Sequence, residues 1–179
     1  MLKRWITLGA LLLMSGFGAQ CSAATITYTA VMMGANETPP NASTATGAAL
    51  LTLTGNMLTV HETFTGLTVP ATAAHIHCCV PPGVAAGVVV PFAGFPTATS
   101  GTYDQTFDLS TFVFGGGLTE TTFLAGLNGG LAYVNIHDAI FPGGEIRGQL
   151  SMTPEPSSLL LLGTGVVGLA GVVRRRLRV

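Results

Sequence analysis

The sequence predicts an all-β fold: a single antiparallel β-sandwich or barrel-like domain, flanked by an N-terminal signal peptide and a C-terminal transmembrane helix. Three observations predict it. In the middle of the chain, apolar and polar residues alternate in short runs, which is the period of a half-buried strand. Glycine, proline and asparagine interrupt these runs, as turns do in sandwiches and barrels. Uninterrupted apolar blocks occur near the two ends, at Ile6–Gly18 and Leu159–Val173.

The segment 1–24 has the organisation of a secretory signal peptide. Two basic residues, Lys3 and Arg4, precede the first apolar block, and the small residues at 22–24 offer a cleavage site. Cys21 also allows a lipoprotein interpretation, although the glutamine before it is large for that processing site. A first transmembrane helix is a further alternative, but the apolar core is short for one. We therefore expect signal peptidase to remove this segment during export.

The segment 25–152 is long enough for one hydrophobic core and contains eight predicted strands. They are Thr25–Met33, Thr46–Thr54, Met57–Thr65, Ala71–His77, Gly87–Pro91, Gly101–Asp108, Leu131–His137 and Glu145–Met152. Gly55 and Asn56 tolerate positive φ, so they suit a tight hairpin between the second and third strands. One short helix is predicted over Thr119–Leu127, with Thr119 as its N-cap and Gly129 near its end. Glu62 falls on the inward face of its strand.

Charge is scarce and unevenly distributed. Only 8% of the residues are charged, against about 25% in typical soluble domains. Between Ala24 and Thr153 the chain has seven acidic residues and one basic residue, Arg147, which gives this segment a net charge of −6 with neutral histidines. Because binding to a phosphate backbone needs several lysine or arginine contacts, nucleic acid is excluded as a partner.

The segment 153–179 combines three features in a fixed order. Pro154, Glu155 and Pro156 come first, a transmembrane helix is predicted over 157–173, and Arg174-Arg175-Arg176 follow. The apolar run spans only about 22 Å as a helix, so the preceding serines and some tilt are needed to cover a core of roughly 30 Å. The arginine cluster is expected to stay cytoplasmic, which leaves the domain outside.

This arrangement resembles the PEP-CTERM sorting signal of Gram-negative bacteria. The resemblance implies recognition by an exosortase, a membrane-embedded cysteine transpeptidase-like enzyme, and cleavage near Pro154–Pro156. It also implies transfer to the cell surface or release, often alongside exopolysaccharide production. The expected partners are signal peptidase, exosortase, the inner membrane before processing, and exopolysaccharide or other surface proteins. The alternative is a plain tail anchor that is never cleaved.

Four blocks in the middle segment resemble the CHRD domain, first defined in chordin. They are Gly34-Ala35-Asn36-Glu37-Thr38-Pro39-Pro40 with Thr46-Gly47 and Gly66-Leu67, Ala73-Ala74-His75-Ile76-His77, Tyr133-Val134-Asn135-Ile136-His137, and Phe141-Pro142-Gly143-Gly144-Glu145-Ile146-Arg147-Gly148. The resemblance implies an all-β extracellular domain with a surface or matrix role and no established reaction. One departure is that Cys78 and Cys79 stand where the family usually continues into Gly-Pro.

Three histidines are candidate metal ligands. His75 and His77 are two residues apart on a predicted strand, so their imidazoles project to the same face. His137 ends another predicted strand. Convergence of the three would suit Zn²⁺ or Cu²⁺, since neutral imidazole is a ligand for both. The alternative is that the imidazoles fix loops by hydrogen bonds to backbone carbonyls or to Asp138 and Glu145.

Cys78 and Cys79 are the only cysteines left once the signal peptide is removed. An exported protein meets an oxidising compartment, so a vicinal disulfide is one interpretation. Metal ligation or redox chemistry beside His75 and His77 is a second, and reduced or intermolecular cysteines are a third.

Glu145 and Arg147 are two residues apart on a predicted strand, which suggests a structural ion pair, with Glu37 and Asp138 as alternative partners of the arginine. No nucleophile elbow, phosphate loop or HExxH motif is present, so no catalytic residue and no enzymatic activity are predicted. The sequence thus favours an exported surface or matrix protein with a structural or binding role. The alternative function is metal binding by the histidine cluster.

Overall fold

The structure, a computed structural model, describes residues 24–153 and 156–177. The predicted signal peptide, apart from Ala24, lies outside the described residues, and so do Cys21, Pro154 and Glu155.

Within residues 24–153, nine antiparallel strands, one short α-helix and two 3₁₀ helices (Gly34–Asn36 and Gly115–Gly117) form the domain, which confirms the all-β prediction. The strands are β1 (Thr25–Met33), β2 (Thr46–Thr54), β3 (Met57–Thr65), β4 (Ala71–His77), β5 (Val88–Pro91), β6 (Gly101–Asp108), β7 (Tyr133–Asp138), β8 (Ile146–Gln149) and β9 (Ser151–Thr153). They form one curled sheet in the order β5-β4-β7-β8-β1-β2-β3-β6, and β9 pairs with β1. The fold is therefore a half-barrel and not two stacked sheets.

Alternation of side chains explains why β1, β2 and β3 form where they do. In β1, Tyr28, Ala30 and Met32 are buried, while the residues between them face outward. The hairpin between β2 and β3 turns at Gly55, whose φ of +58° is in the left-handed region that favours glycine. Gly55 therefore allows the tight hairpin that the sequence predicts between these two strands.

Aromatic side chains join the two edge strands of the half-barrel. Phe92 follows β5 directly, and its ring lies 4.9 Å from Tyr103 and 6.2 Å from Phe107, both on β6. One backbone hydrogen bond also crosses this gap, from the N–H of Ala71 to the carbonyl of Ala98 at 3.0 Å. Side-chain packing therefore encloses the core on the side that no strand ladder covers.

Helix α1 (Glu120–Asn128) covers the core and begins where the sequence predicts. Thr119 is its N-cap, and its hydroxyl accepts a hydrogen bond from the N–H of Thr122 at 3.2 Å. Phe123 and Leu127 are fully buried, because they form the face of the helix that packs onto the sheet.

The last predicted strand divides into β8 and β9 around Leu150. The N–H of Leu150 donates to the carbonyl of Ala132 at 2.9 Å, and its side chain is fully buried. β8 pairs with β7 on one side and, through Arg147 and Met33, with β1 on the other, and β9 continues the pairing with β1 in the same register. The predicted strand therefore follows one path between β7 and β1 that is interrupted at Leu150, and a pattern of alternating residues does not reveal this interruption.

The tail forms helix α2 (Pro156–Arg176), with Arg174, Arg175 and Arg176 in its last turn. The helix predicted over 157–173 is thus present. Among the described residues, however, no helix is long and apolar enough to cross a membrane. The predicted transmembrane span over 157–173 is therefore not confirmed.

Candidate metal centre

Strand register places the three histidines on the same face of the sheet. In β4 and β7, His75 pairs with Asn135, His77 with Tyr133, and Ala73 with His137. Side chains of paired residues in an antiparallel ladder point to the same side. This side is opposite the core, and the loops around Val84–Ala86 and Phe141–Gly144 lie over it.

The nitrogens of the three imidazoles converge. One ring nitrogen from each of His75, His77 and His137 lies within 4.8 Å of the others. The ring centroids of His75 and His137 are 5.0 Å apart, and those of His75 and His77 are 5.6 Å apart. The three imidazoles therefore converge as predicted. This convergence depends on the pairing register of β4 and β7, which are distant in the sequence.

Two ring nitrogens of the cluster are buried without a hydrogen-bond partner among the described residues: Nδ1 of His75 and Nε2 of His137. In His137 the other nitrogen, Nδ1, lies 3.0 Å from the carbonyl of Pro142 and donates to it. The proton therefore resides on Nδ1, and Nε2 carries a free lone pair.

His77 differs, since both of its nitrogens lie beside oxygen acceptors. Nδ1 is 2.9 Å from the carbonyl of Ala86, and Nε2 is 2.9 Å from Oδ1 of Asn135; a neutral imidazole has one N–H and donates to only one of these oxygens. The ring also stacks on Tyr133, with 4.7 Å between centroids and 4° between planes. His77 is thus held in place on three sides.

All three imidazoles are shifted toward the neutral form. Burial, followed by the nearby His137 and His77, lowers the pKa of His75 to about 4. Burial also lowers the pKa of His77 and of His137, against the opposing effect of their hydrogen bonds to backbone carbonyls. At neutral pH the cluster therefore presents uncharged imidazoles, the form that binds metal ions.

The alternative of loop-fixing hydrogen bonds holds in part. His77 and His137 do bond to backbone carbonyls, but the hydrogen bonds of these rings go to neither Asp138 nor Glu145. The fourth histidine, His61, lies outside the cluster, where it is exposed and pairs with Asp104 at 2.6 Å.

Comparison with known proteins agrees with this fold. The family model of the CHRD domain matches residues 28–150, which is more than half of the chain. The chain belongs to the CHRD family. The PEP-CTERM protein-sorting motif matches residues 153–176, directly after the CHRD domain. No curated protein and no solved structure matches the chain significantly. The sorting motif marks the chain for export and for processing by an exosortase.

The two cysteines of the CHRD domain form a vicinal disulfide, Cys78–Cys79, in the structure. Both sulfurs lie against Gly126 of α1, and Cys78 is part of the hydrophobic core. They are therefore directed away from the histidine face, and the structure does not bring them together with His75 and His77 as a mixed ligand set.

The predicted ion pair between Glu145 and Arg147 is absent, and that prediction is wrong. Glu145 lies in the bend before β8, so the two residues do not share a strand face. Its carboxylate instead accepts hydrogen bonds from the hydroxyl of Ser43 at 2.6 Å and from the N–H and hydroxyl of Thr68 at 2.9 and 2.8 Å.

Arg147 is buried on β8, and its guanidinium donates to Oγ1 of Thr38 at 3.1 Å and to the carbonyl of Val84 at 2.9 Å. The positive charge of Arg147 favours the ionised form of Glu37. Burial raises the pKa of Glu37, while the Thr38 N–H, Arg147 and Asn135 lower it, and the net direction is upward. The predicted alternative partner Glu37 thus interacts with the arginine through space.

Sequence reasoning missed Tyr133 and Asn135 as part of the site. Both lie on β7 between His77 and Arg147, and Asn135 is 3% exposed. The signal was present: Tyr133, Asn135 and His137 alternate with apolar residues, so all three share a face. Their side chains complete a buried polar layer between the sheet and its covering loops.

An open cleft of about 470 Å³ adjoins this layer. Its lining includes Asn36, Glu37, Thr38, Arg147 and Gln149. One oxygen of the buried Glu37, Oε1, has no hydrogen-bond partner among the described residues. The cleft therefore combines a guanidinium, a carboxyl group and amide groups at its surface.

Proposed function

We propose that this protein is an exported, exosortase-processed surface protein whose CHRD domain has a binding or structural role and no catalytic one. The observation that carries the proposal is the position of the sorting motif. Strand β9 ends at Thr153, and the motif begins at the same residue. Cleavage near Pro154–Pro156 would therefore release the domain with all nine strands intact.

Processing is tested by measuring the intact mass of the protein recovered from the surface or medium of its native host. We expect a chain that starts near Ala24 and ends near Pro154–Pro156. A variant with alanine in place of Pro154, Glu155 and Pro156 should keep its tail and remain with the membrane fraction. Recovery of exported wild-type chains that still contain Leu159–Val179 would contradict the proposal.

The cleft supports a hydroxylated carbohydrate, such as a unit of exopolysaccharide, as the ligand of the domain. Guanidinium, carboxyl and amide groups donate to and accept from sugar hydroxyls, and Pro40 and Pro82 offer apolar surface for the sugar ring. The net charge of −6 over residues 24–153 favours a neutral ligand over a polyanion.

Binding is tested with exopolysaccharide purified from the native host, titrated into the exported protein. Asn36→Ala removes a cleft side chain that lies at the exposed rim. We expect it to weaken binding several-fold, whereas His61→Ala, on the exposed face of β3, should leave binding unchanged. Equal affinities of both variants and the wild type would exclude the cleft as the binding site.

A further inference from the structure

We propose that His75, His137 and His77 bind one transition-metal ion, Zn²⁺ or Cu²⁺, and that His75 and His137 are its primary ligands. The inference goes beyond the surface role above and does not depend on it. It rests on two buried imidazole nitrogens that lack partners among the described residues, and on the convergence of three imidazoles.

His137 has the arrangement expected of a preorganised ligand. A histidine that binds a metal ion usually donates its other ring N–H to a carbonyl or carboxylate, which fixes both the tautomer and the ring orientation. Nδ1 of His137 donates to the carbonyl of Pro142 at 3.0 Å, and Nε2 is buried without a partner among the described residues. Without an ion, this buried nitrogen has lost its bond to water and gained nothing in exchange.

His75 supplies the second free nitrogen. Its Nδ1 is buried and unpartnered, and its ring centroid lies 5.0 Å from that of His137. Nitrogens that share one Zn²⁺ lie about 3–4 Å apart, given metal–nitrogen distances of about 2.0–2.1 Å. Because one nitrogen of each histidine already lies within 4.8 Å of the others, small rotations of the side chains bring the three into range.

His77 completes the set when Asn135 releases it. Nε2 of His77 lies 2.9 Å from Oδ1 of Asn135, so an ion can reach this nitrogen only after the side chain of Asn135 turns away. While the side chain of Asn135 moves, the stack on Tyr133 keeps the His77 imidazole in the cluster. A change in the amide rotamer of Asn135, without backbone movement, therefore converts a two-nitrogen site into a three-nitrogen site.

The chemistry of the donors selects the ion. Ca²⁺ and Mg²⁺ require oxygen ligands, whereas imidazole suits Zn²⁺ and Cu²⁺. The cluster contains only imidazoles among the described residues, and the cysteine sulfurs lie against Gly126 in a disulfide. His75 and His137 are only half-buried, so the cluster lies near the surface of the domain, although their two unpartnered nitrogens are themselves buried.

The test uses the full chain, exported and purified without a polyhistidine tag, and stripped with a chelator. Zn²⁺ and Cu²⁺ are titrated in separate experiments, and the bound metal is counted by elemental analysis. We expect one ion per chain and a melting temperature that rises with metal concentration. His75→Ala and His137→Ala should each weaken binding at least tenfold, while His61→Ala, the histidine outside the cluster, should bind like the wild type.

Cu²⁺ is expected to bind more tightly than Zn²⁺ in a site that imposes no geometry of its own. Electron paramagnetic resonance of the Cu²⁺ form should show hyperfine coupling to at least two imidazole nitrogens. Because this spectrum is measured on the wild-type protein, it tests the proposed ligands even if a variant fails to fold. Bound metal below one ion per ten chains, equal affinity in all variants, or a spectrum without nitrogen coupling would overturn the proposal.

Discussion

The guanidinium carbon of Arg147 lies 3.4 Å from the centre of the Tyr133 ring, on which His77 also stacks. Arg147 comes from β8 and His77 from β4, the two strands that flank β7 in the sheet. Tyr133 therefore connects the cleft, which Arg147 lines, with the histidine cluster. The two candidate sites of the domain share one buried aromatic ring.

Replacement of Arg147 tests how much this arrangement stabilises the fold. Arg147→Ala removes the stack and the hydrogen bonds to Thr38 and to the carbonyl of Val84. We expect the free energy of unfolding to fall by about 2–4 kcal/mol, measured by urea denaturation. Arg147→Lys should restore only part of it, because an ammonium lacks the planar fork. Asp104→Ala, at an exposed ion pair, should change stability by less than about 1 kcal/mol, and an equal effect of both alanine variants would contradict the assignment.

The stability of the domain should fall as the pH rises, because of Glu62. Its side chain is fully buried with both oxygens unpartnered among the described residues, and burial raises its pKa to about 8. The unfolded chain ionises near the usual value, so the contribution of Glu62 to stability is complete below about pH 4.5. It is then lost progressively up to about pH 8.

Glu62→Gln is the variant that tests this pH dependence. Glutamine has nearly the same shape but no charge to lose, so the free energy of unfolding should depend less on pH between about 4.5 and 8. At pH 8 the variant should be more stable than the wild type, as measured by thermal melts across the pH range. Parallel pH profiles of the two proteins would show that Glu62 is not the group responsible.

Gly126 is required by close packing against the disulfide. A Cβ at this position would collide with the sulfurs of Cys78 and Cys79. We expect Gly126→Ala to destabilise the domain by about 1–3 kcal/mol, although alanine is the better helix former. Gly87→Ala is the matched control, since a Cβ there meets nothing within 4 Å. Thermal denaturation of both variants checks this, and a neutral Gly126→Ala would mean that the helix moves away from the disulfide easily.

Glu145 joins two loops to the start of β8, and its removal should loosen both. Glu145→Ala leaves Ser43 and the N–H of Thr68 without their acceptor, so we expect a loss of about 2–4 kcal/mol in unfolding free energy. Glu145→Gln keeps one acceptor oxygen and should lose less. Hydrogen exchange of the Thr68 amide, measured by NMR, should accelerate in the alanine variant. Unchanged protection of that amide would show that another group holds the loop.

Local patterns predicted most of the strands. The strand boundaries of β1, β2, β3, β4 and β6 follow from alternation, because each of these strands has one face on the core. The N-cap at Thr119 was predictable for the same reason: its hydroxyl acts on an N–H three residues away. Interactions of this range are contained in a short stretch of sequence.

Predictions that needed distant partners succeeded less often. Glu145 and Arg147 were expected to pair because a continuous strand would put both on one face, but the bend before Ile146 separates them. Ser43 and Thr68, which do bind Glu145, come from loops that are 102 and 77 residues away along the chain. No local pattern contains that information.

The sequence by itself determined the class of the fold, the sorting motif at the end of the chain and the shared face of His75 and His77, because each depends on the order of neighbouring residues. Only the tertiary structure decided that His137 joins them, since this depends on the register between β4 and β7. It also decided that the cysteine sulfurs lie on the helix side, apart from the histidines. Strand register and burial are properties of the whole sheet, and they determine which of the possible ligands meet.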